Sequence, residues 1–434
     1  MSFKAAFRSR LAQFFLSDGR RSFLRHLRES RRLIDRRGHE VIYFHRADDP
    51  YCQLMVQILP ELAARFDIQI SPKVVEKLPA NMYPDPQRYE AYCILDTVRL
   101  ARLYGLGFPR EAVVPDPLSV GMINRHLITL EGSRDFFATA EELGEALWRR
   151  ELGTIQRECK VAQVEDDRLR DNEKTLARLG HYASASLYYE GEFYPGIDRL
   201  DHLERRLNAL GAGDGDVHYA LGKCWPQELQ QAPFDATGQR VELFFSVRSP
   251  YSALALEQVA QLQEKTGVRV SLRPVLPMVV RGMPLPKRKL RYIPLDAKRE
   301  AGLYGIDFGH MSDPLGEGVF RTLAIGCALG QADSGGTDLA IFRAAMRAIW
   351  ADGQALAEPA QLQKVTDSLG INWSDALAWQ SDDSWRQQME QNRVDMQALG
   401  CRGVPSFKVG SKIVWGQDRL WWVVEALRAG AGAG

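Results

Sequence analysis

The chain repeats itself, and the repeat limits the folds open to it. Val41–Phe108 lies above Val241–Phe308 at a constant offset of 200, without a gap over 68 positions, and 20 of them are identical. The identities gather in two places. Phe44, Pro50, Tyr51 and Leu54 match Phe244, Pro250, Tyr251 and Leu254. Further on, Pro84, Pro86, Arg88, Tyr92, Leu95, Asp96, Arg99, Ala101, Leu103, Tyr104, Gly105 and Phe108 recur 200 residues later. A second block pairs Leu179–Leu207 with Leu399–Leu427 at offset 220, keeping Leu179, Gly180, Ser186, Gly196, Asp198, Arg199, Leu200 and Leu207. The offset grows by 220 − 200 = 20, so the second copy carries 20 more residues between the blocks. A chain of this kind builds one architecture twice.

Each copy alternates strands and helices. An apolar strand (Val41–Phe44; Val241–Phe245) leads through a Pro-containing turn into a helix (Leu54–Phe66; Leu254–Lys265). A second strand follows (Ile68–Ile70; Val268–Leu272), then a Pro-punctuated loop and helical segments. Among these, Phe342, Ala345, Met346 and Ile349 hold the spacing of one helix face. A hairpin (Ser186–Tyr194; Ser406–Trp415) and a helix from Asp198 or Asp418 close each copy.

The 434 residues suffice for two or three domains, and 45% hydrophobic with 26% charged residues is a soluble globular profile. A net charge of +1 carries no nucleic-acid footprint, and no apolar run is long enough to span a bilayer. The boundaries expected are a basic helical leader at 1–40, one domain at 41–210, a linker at 211–239, a second domain at 240–428 and a flexible tail at 429–434. The leader holds one Lys and ten Arg against Asp18, Glu29, Asp35 and Glu40, or 11 − 4 = +7. Phe3, Phe7, Leu11, Phe14, Phe15, Phe23, Leu24 and Leu27 form its apolar stripe. Two placements are open. Either the stripe packs on the body with the Arg face in solvent, or the helix meets a membrane surface or an acidic partner. Cys52, Cys93, Cys159, Cys224, Cys327 and Cys401 form no CxxC pair and have no zinc-finger spacing. With no secretory signal, free thiols in a reducing cytoplasm are expected, and no metal site.

The chemistry-bearing residues lie where a strand runs into a helix. Ser249-Pro250-Tyr251-Ser252 follows Val241–Phe245, at a helix N-terminus whose N–H groups and dipole favour an anion. A redox-active thioredoxin-like tetrad has Cys at both ends of this position. Here both ends are Ser, so dithiol exchange is excluded, while a Ser hydroxyl can still donate to a bound thiolate.

The segment FFSVRSPYSALA resembles the DsbA-like thioredoxin-fold family that contains 2-hydroxychromene-2-carboxylate isomerase and kappa-class glutathione transferase. Tyr292, Asp296, Arg299, Leu303-Tyr304-Gly305, Gly403-Val404-Pro405 and Gly416-Gln417-Asp418-Arg419 extend the resemblance over Val241–Leu427. It implies an α/β chain of two tandem thioredoxin-fold (DsbA-like) domains, each with an inserted helical subdomain. It also implies glutathione as cosubstrate. Ser249 would contact the sulfur, Val404 and Pro405 would pair with the cysteinyl backbone, Gln417 and Asp418 would hold the γ-glutamyl end, and Lys289 the glycyl carboxylate. The Val404–Pro405 bond is then expected to be cis, and Ser184–Ala185 trans. The family's Gly-Asn loop is replaced by Arg281-Gly282-Met283-Pro284, so Met283 stands where the Asn would be.

The first copy departs at nearly every site position. Asp49 replaces Ser249, Cys52 replaces Ser252, Tyr89 replaces Lys289, Ala185 replaces Pro405 and Ile197 replaces Gln417. It is expected to be a degenerate partner. The function implied is a cytoplasmic, bacterial, glutathione-dependent isomerase or transferase for a small electrophile, with a homodimer compatible with the sequence. The alternative is a redox-inactive thioredoxin-fold module that binds an extended peptide or protein segment along the Val404-Pro405 edge.

Overall fold

The computed structural model describes residues 3–82, 85–159, 167–283, 285–332, 337–381 and 383–431. The repeated pair Pro84 and Pro284 and the end of the tail, 432–434, lie outside them. The chain divides into two units. One is Leu24–Gly222; the other is Lys223–Gly434 together with Met1–Phe23.

In the first unit, β1 (His39–His45), β2 (Ile68–Val74), β3 (Ser186–Tyr189) and β4 (Glu192–Pro195) form one sheet in the order β2-β1-β3-β4. β1 runs parallel to β2 and antiparallel to β3, with Phe44 opposite Ser186. A parallel pair needs a crossover, here the helix Pro50–Arg65. Its Leu54, Met55, Ile58, Leu59 and Leu62 are buried. Asp49 caps it by accepting from the Tyr51 N–H at 3.0 Å, and Pro50 takes the first turn, where no N–H is needed.

The second unit has β5 (Arg240–Phe245), β6 (Arg269–Pro274), β7 (Ser406–Val409) and β8 (Lys412–Trp415) in the order β6-β5-β7-β8. The strand senses are the same, and Phe244 lies opposite Ser406. Its crossover helix is Pro250–Thr266, capped by Ser249. Both sheets thus have one topology, with equivalent residues in register at offsets 200 and 220.

Helices fill the sequence between the second and third strands of each sheet. Five of the described helices do so in the first unit and six in the second, which places the 20 extra residues in this region. Phe342, Ala345, Met346 and Ile349 are buried on one face of the helix Thr337–Trp350, as their spacing predicts. The repeated Tyr and Asp residues form matching buried clusters. Asp96 accepts from Tyr51 at 2.8 Å and from Tyr92 at 3.4 Å. Asp296 accepts from Tyr251 at 2.7 Å, from Tyr292 at 3.0 Å and from Arg299 at 2.5 Å. A buried carboxylate is tolerable only with such donors.

Part of the connecting stretch is ordered against the second unit. Trp225 on the helix Trp225–Gln231 is fully buried, and Lys223 reaches the buried Glu300 at 2.9 Å. The final helix continues to Ala431, so Ala429–Ala431 are helical rather than a flexible tail.

The leader forms two helices, Phe3–Leu16 and Asp18–Ile34, but faces the other way from the apolar-inward placement. On Asp18–Ile34 the Arg face meets protein. Arg25 forms a bidentate pair with Glu192 at 2.6 Å, and the buried Arg32 pairs with Glu29. Phe23, Leu27, Leu33 and Ile34 are exposed. The carboxylates of the β3–β4 hairpin outcompete the apolar stripe for this contact. Among the described residues, no helix is long and apolar enough to cross a membrane.

Candidate functional site

Four residues join β5 to the helix Pro250–Thr266, and their polar atoms converge on the helix N-terminus. Ser249 adopts extended backbone and its Oγ accepts from the Ser252 N–H at 3.2 Å. A hydroxyl that accepts one bond still has its own proton to donate. The Ser252 Oγ, fully buried, accepts from the Ser246 N–H at 3.3 Å. The Ser246 hydroxyl is buried and has no hydrogen-bond partner among the described residues. Arg248 grips Asp313 through two bonds of 2.9 and 2.8 Å, which hold its pKa above the ordinary value.

The sheet register brings a second loop to this turn. Because Phe244 pairs with Ser406, residues 403–405 run beside the end of β5. The Val404–Pro405 peptide bond is cis, as the sequence predicts, and it is the only cis bond among the described residues. The Pro405 carbonyl accepts from the Gly416 N–H at 2.9 Å, and the Ser406 Oγ donates to the Gly403 carbonyl at 2.8 Å. Gly403 has no room for a side chain, since a Cβ there would enter the Trp415 indole. The loop is therefore held against the end of β8.

The other predicted residues divide. Asp418 lies two residues past Gly416, partly exposed and paired with Arg419 at 3.3 Å. Gln417 is buried. Its amide donates to Glu300 at 2.9 Å and its carbonyl accepts from Gln258 at 3.3 Å, so the side chain belongs to the interior. Only its backbone is left to face a ligand. Lys289 sits in the first turn of the helix Lys287–Leu303, two turns before Asp296 and on the same face. Asp296 is the residue that Tyr251, two positions after Ser249, reaches. Burial pulls the Lys289 pKa down to about 8. Ser246 and Arg248 escaped the sequence reading. Their signal was a polar pair in a strand-to-helix turn, which is also what any surface turn contains.

The equivalent turn of the first unit is closed. Ser184, at the position of Val404, donates to the Asp49 carboxylate at 2.5 Å. Burial raises the Asp49 pKa, opposed by Arg46 and by this bond. Cys52 takes the place of Ser252, its Sγ accepting from the Arg46 N–H at 3.3 Å. Burial lifts its thiol pKa well above the usual value, so it is not a thiolate nucleophile. All six cysteines are free thiols. Elsewhere in this unit, ligand atoms of the exposed Asp214, Asp216 and His218 lie within 4.8 Å of one another, with Asp214 already paired to Arg65 at 2.8 Å.

Residues 240–428 match the DSBA-like thioredoxin domain family, and this half of the chain is a DsbA-like thioredoxin domain. Similar solved structures include a selenomethionine 2-hydroxychromene-2-carboxylate isomerase, 24% identical, covering 45% of this chain and 99% of that one at a TM-score of 0.38. They also include the cytosolic disulfide reductase DsbM from Pseudomonas aeruginosa with GSH, 20% identical, covering 44% of this chain and 99% of that one at a TM-score of 0.33. Among curated proteins, none matches this chain.

Proposed function

We propose that the DsbA-like domain is a glutathione-dependent isomerase or transferase acting on a small electrophile, and that the first unit is a degenerate second copy of the same fold. The observation that carries the reading is the turn at Ser249. A helix N-terminus, a hydroxyl free to donate and a buried unpaired Ser246 hydroxyl lie beside a clamped cis-proline loop. Val404 has no group that could close this turn as Ser184 closes the other. The glutathione sulfur sits at Ser249, which stabilises its thiolate together with the helix dipole. The Val404–Pro405 backbone meets the cysteinyl residue. Asp418 and the Gln417 backbone meet the γ-glutamyl end, and Lys289 the glycyl carboxylate.

The thiolate forms a carbon–sulfur bond to an unsaturated carbon conjugated with a carbonyl, whose oxygen receives the displaced π electrons. Rotation about the new single bond followed by expulsion of the thiolate gives the isomer. Protonation of the enolate gives the conjugate. No oxidant or reductant is consumed, consistent with Ser at both ends of the tetrad. The setting proposed is a bacterial cytoplasm.

Calorimetry of the full chain with glutathione tests the reading. Wild type is expected to bind, and Ser249→Ala to lose about 1–3 kcal/mol, the range for a hydrogen bond to a charged group. Absence of binding to wild type at millimolar glutathione would sink the enzyme reading. A redox-inactive module that holds an extended peptide on the Val404-Pro405 edge would then replace it.

A further inference from the structure

We infer that the helix Asp18–Ile34 forms a docking element for an anionic lipid surface, a role separate from the glutathione site. The helix Asp18–Ile34 is amphipathic but packed with its charged side inward. Arg25 and Arg37 reach Glu192 and Glu190 at 2.6 and 3.5 Å, and Arg32 is buried against Glu29. The opposite side shows Phe23, Leu27 and Ile34 at one helical stripe, 67, 57 and 80% exposed. Helix packing ordinarily turns such a stripe toward the core.

Charge selects the occupant. Residues 18–40 hold eight Arg against Asp18, Glu29, Asp35 and Glu40, or 8 − 4 = +4, and subtracting the two arginines held by Glu190 and Glu192 leaves 4 − 2 = +2. Arg31 and Arg36 are exposed beside the apolar stripe. Two such surfaces brought together repel, which disfavours a second copy of this chain. An anionic lipid surface attracts the basic rim and takes up phenylalanine and leucine side chains below its headgroups. With no membrane-crossing helix among the described residues, the helix would lie in the interface plane.

Co-sedimentation of the full chain with vesicles tests this. Binding is expected to mixed phosphatidylglycerol–phosphatidylcholine vesicles, to weaken as salt rises, and to be far weaker on phosphatidylcholine alone. The triple change Phe23→Ser, Leu27→Ser and Ile34→Ser touches only exposed side chains and is expected to cut binding by about tenfold or more. Arg31→Glu with Arg36→Glu is expected to cut it severalfold and to flatten the salt dependence. Equal binding to neutral vesicles, no binding to either, or unchanged binding by the triple variant overturns the inference. So does a concentration-dependent dimer in analytical ultracentrifugation that the triple variant abolishes, which would show that a second copy covers the face.

Discussion

The turn 45–52 and the turn 245–252 hold equivalent positions in two sheets of one topology, yet they do opposite things with them. In the first, a carboxylate sits at the helix N-terminus and a serine from the neighbouring loop is bonded to it at 2.5 Å. The anion that the helix end favours is already supplied by the chain. In the second, a serine caps the helix and its neighbour is a valine before a cis proline. The frame survives while the charge at its focus is removed. On the proposed function, a site of this type is made or unmade by two side chains, Asp49 with Ser184 against Ser249 with Val404, while the strands stay in place.

The largest effect should come from moving the lock across. Ser249→Asp with Val404→Ser recreates the first turn in the second. Two like charges about 4 Å apart at an effective dielectric near 20 repel by roughly 4 kcal/mol, which is about a thousandfold in affinity for a thiolate. Calorimetry should show glutathione binding lost while the far-ultraviolet dichroism is unchanged. Retained affinity would mean that the sulfur does not sit at Ser249.

Next comes the feature that both units keep. Asp96→Asn and Asp296→Asn each remove the buried carboxylate that two tyrosines share. Both should cost about 2–4 kcal/mol in urea denaturation, the range for breaking a buried, charge-assisted cluster. If either substitution is neutral, the equivalence of the two clusters fails.

These clusters were legible because a residue that must be buried and bonded in both units is kept in both, and so stands out in the repeat. The sequence of strands and helices and the helical insertion were legible for the same reason, and the turn at Ser249 because Pro250 and Tyr251 recur beside it. The leader was not. Periodicity shows that a helix has two faces, but not which one finds a partner, and Glu190 and Glu192 lie more than 150 residues away from the arginines they meet. The burial of the Gln417 side chain was not legible either. Its position in a turn suggested a ligand contact, whereas the buried Glu300, a Leu in the first unit at position 100, draws its amide inward. The resemblance supplied Lys289 as a partner for the glycyl carboxylate, with nothing in the sequence to mark it as enclosed. Only the packing shows that this one amine is mostly enclosed.

That enclosure gives a pH signature to one unit alone, since Tyr89 holds the equivalent place in the other. The Lys289 pKa is lowered to about 8 in the folded chain, below the roughly 10.4 of an unfolded lysine. The burial penalty is present below about pH 8 and is relieved as pH rises from 8 toward the unfolded value. Ligand binding runs the other way, because a carboxylate gains from the ammonium only below about pH 8. With S-methylglutathione, whose sulfur does not ionise, affinity should fall about tenfold between pH 7 and 9, near 1.4 kcal/mol. Lys289→Met should flatten that profile. An unchanged profile would remove Lys289 from the ligand's reach.

The smallest effect is expected where the two turns differ in element but not in role. Cys52 and Ser252 each accept the backbone N–H six residues earlier at 3.3 Å, and both are buried. Cys52→Ser therefore copies a solution already present in the other turn. It keeps the acceptor, and the cost should stay at about 1 kcal/mol or below, the price of a more polar atom in a site that already supplies its hydrogen bond. The thiol itself should be silent. Its pKa lies well above the ordinary value and its side chain is enclosed, so a disulfide reagent should label it only after unfolding. Rapid labelling of Cys52 in the native chain would break the comparison at its root. It would mean that the first turn opens to solvent, and that the Asp49–Ser184 bond does not hold it closed.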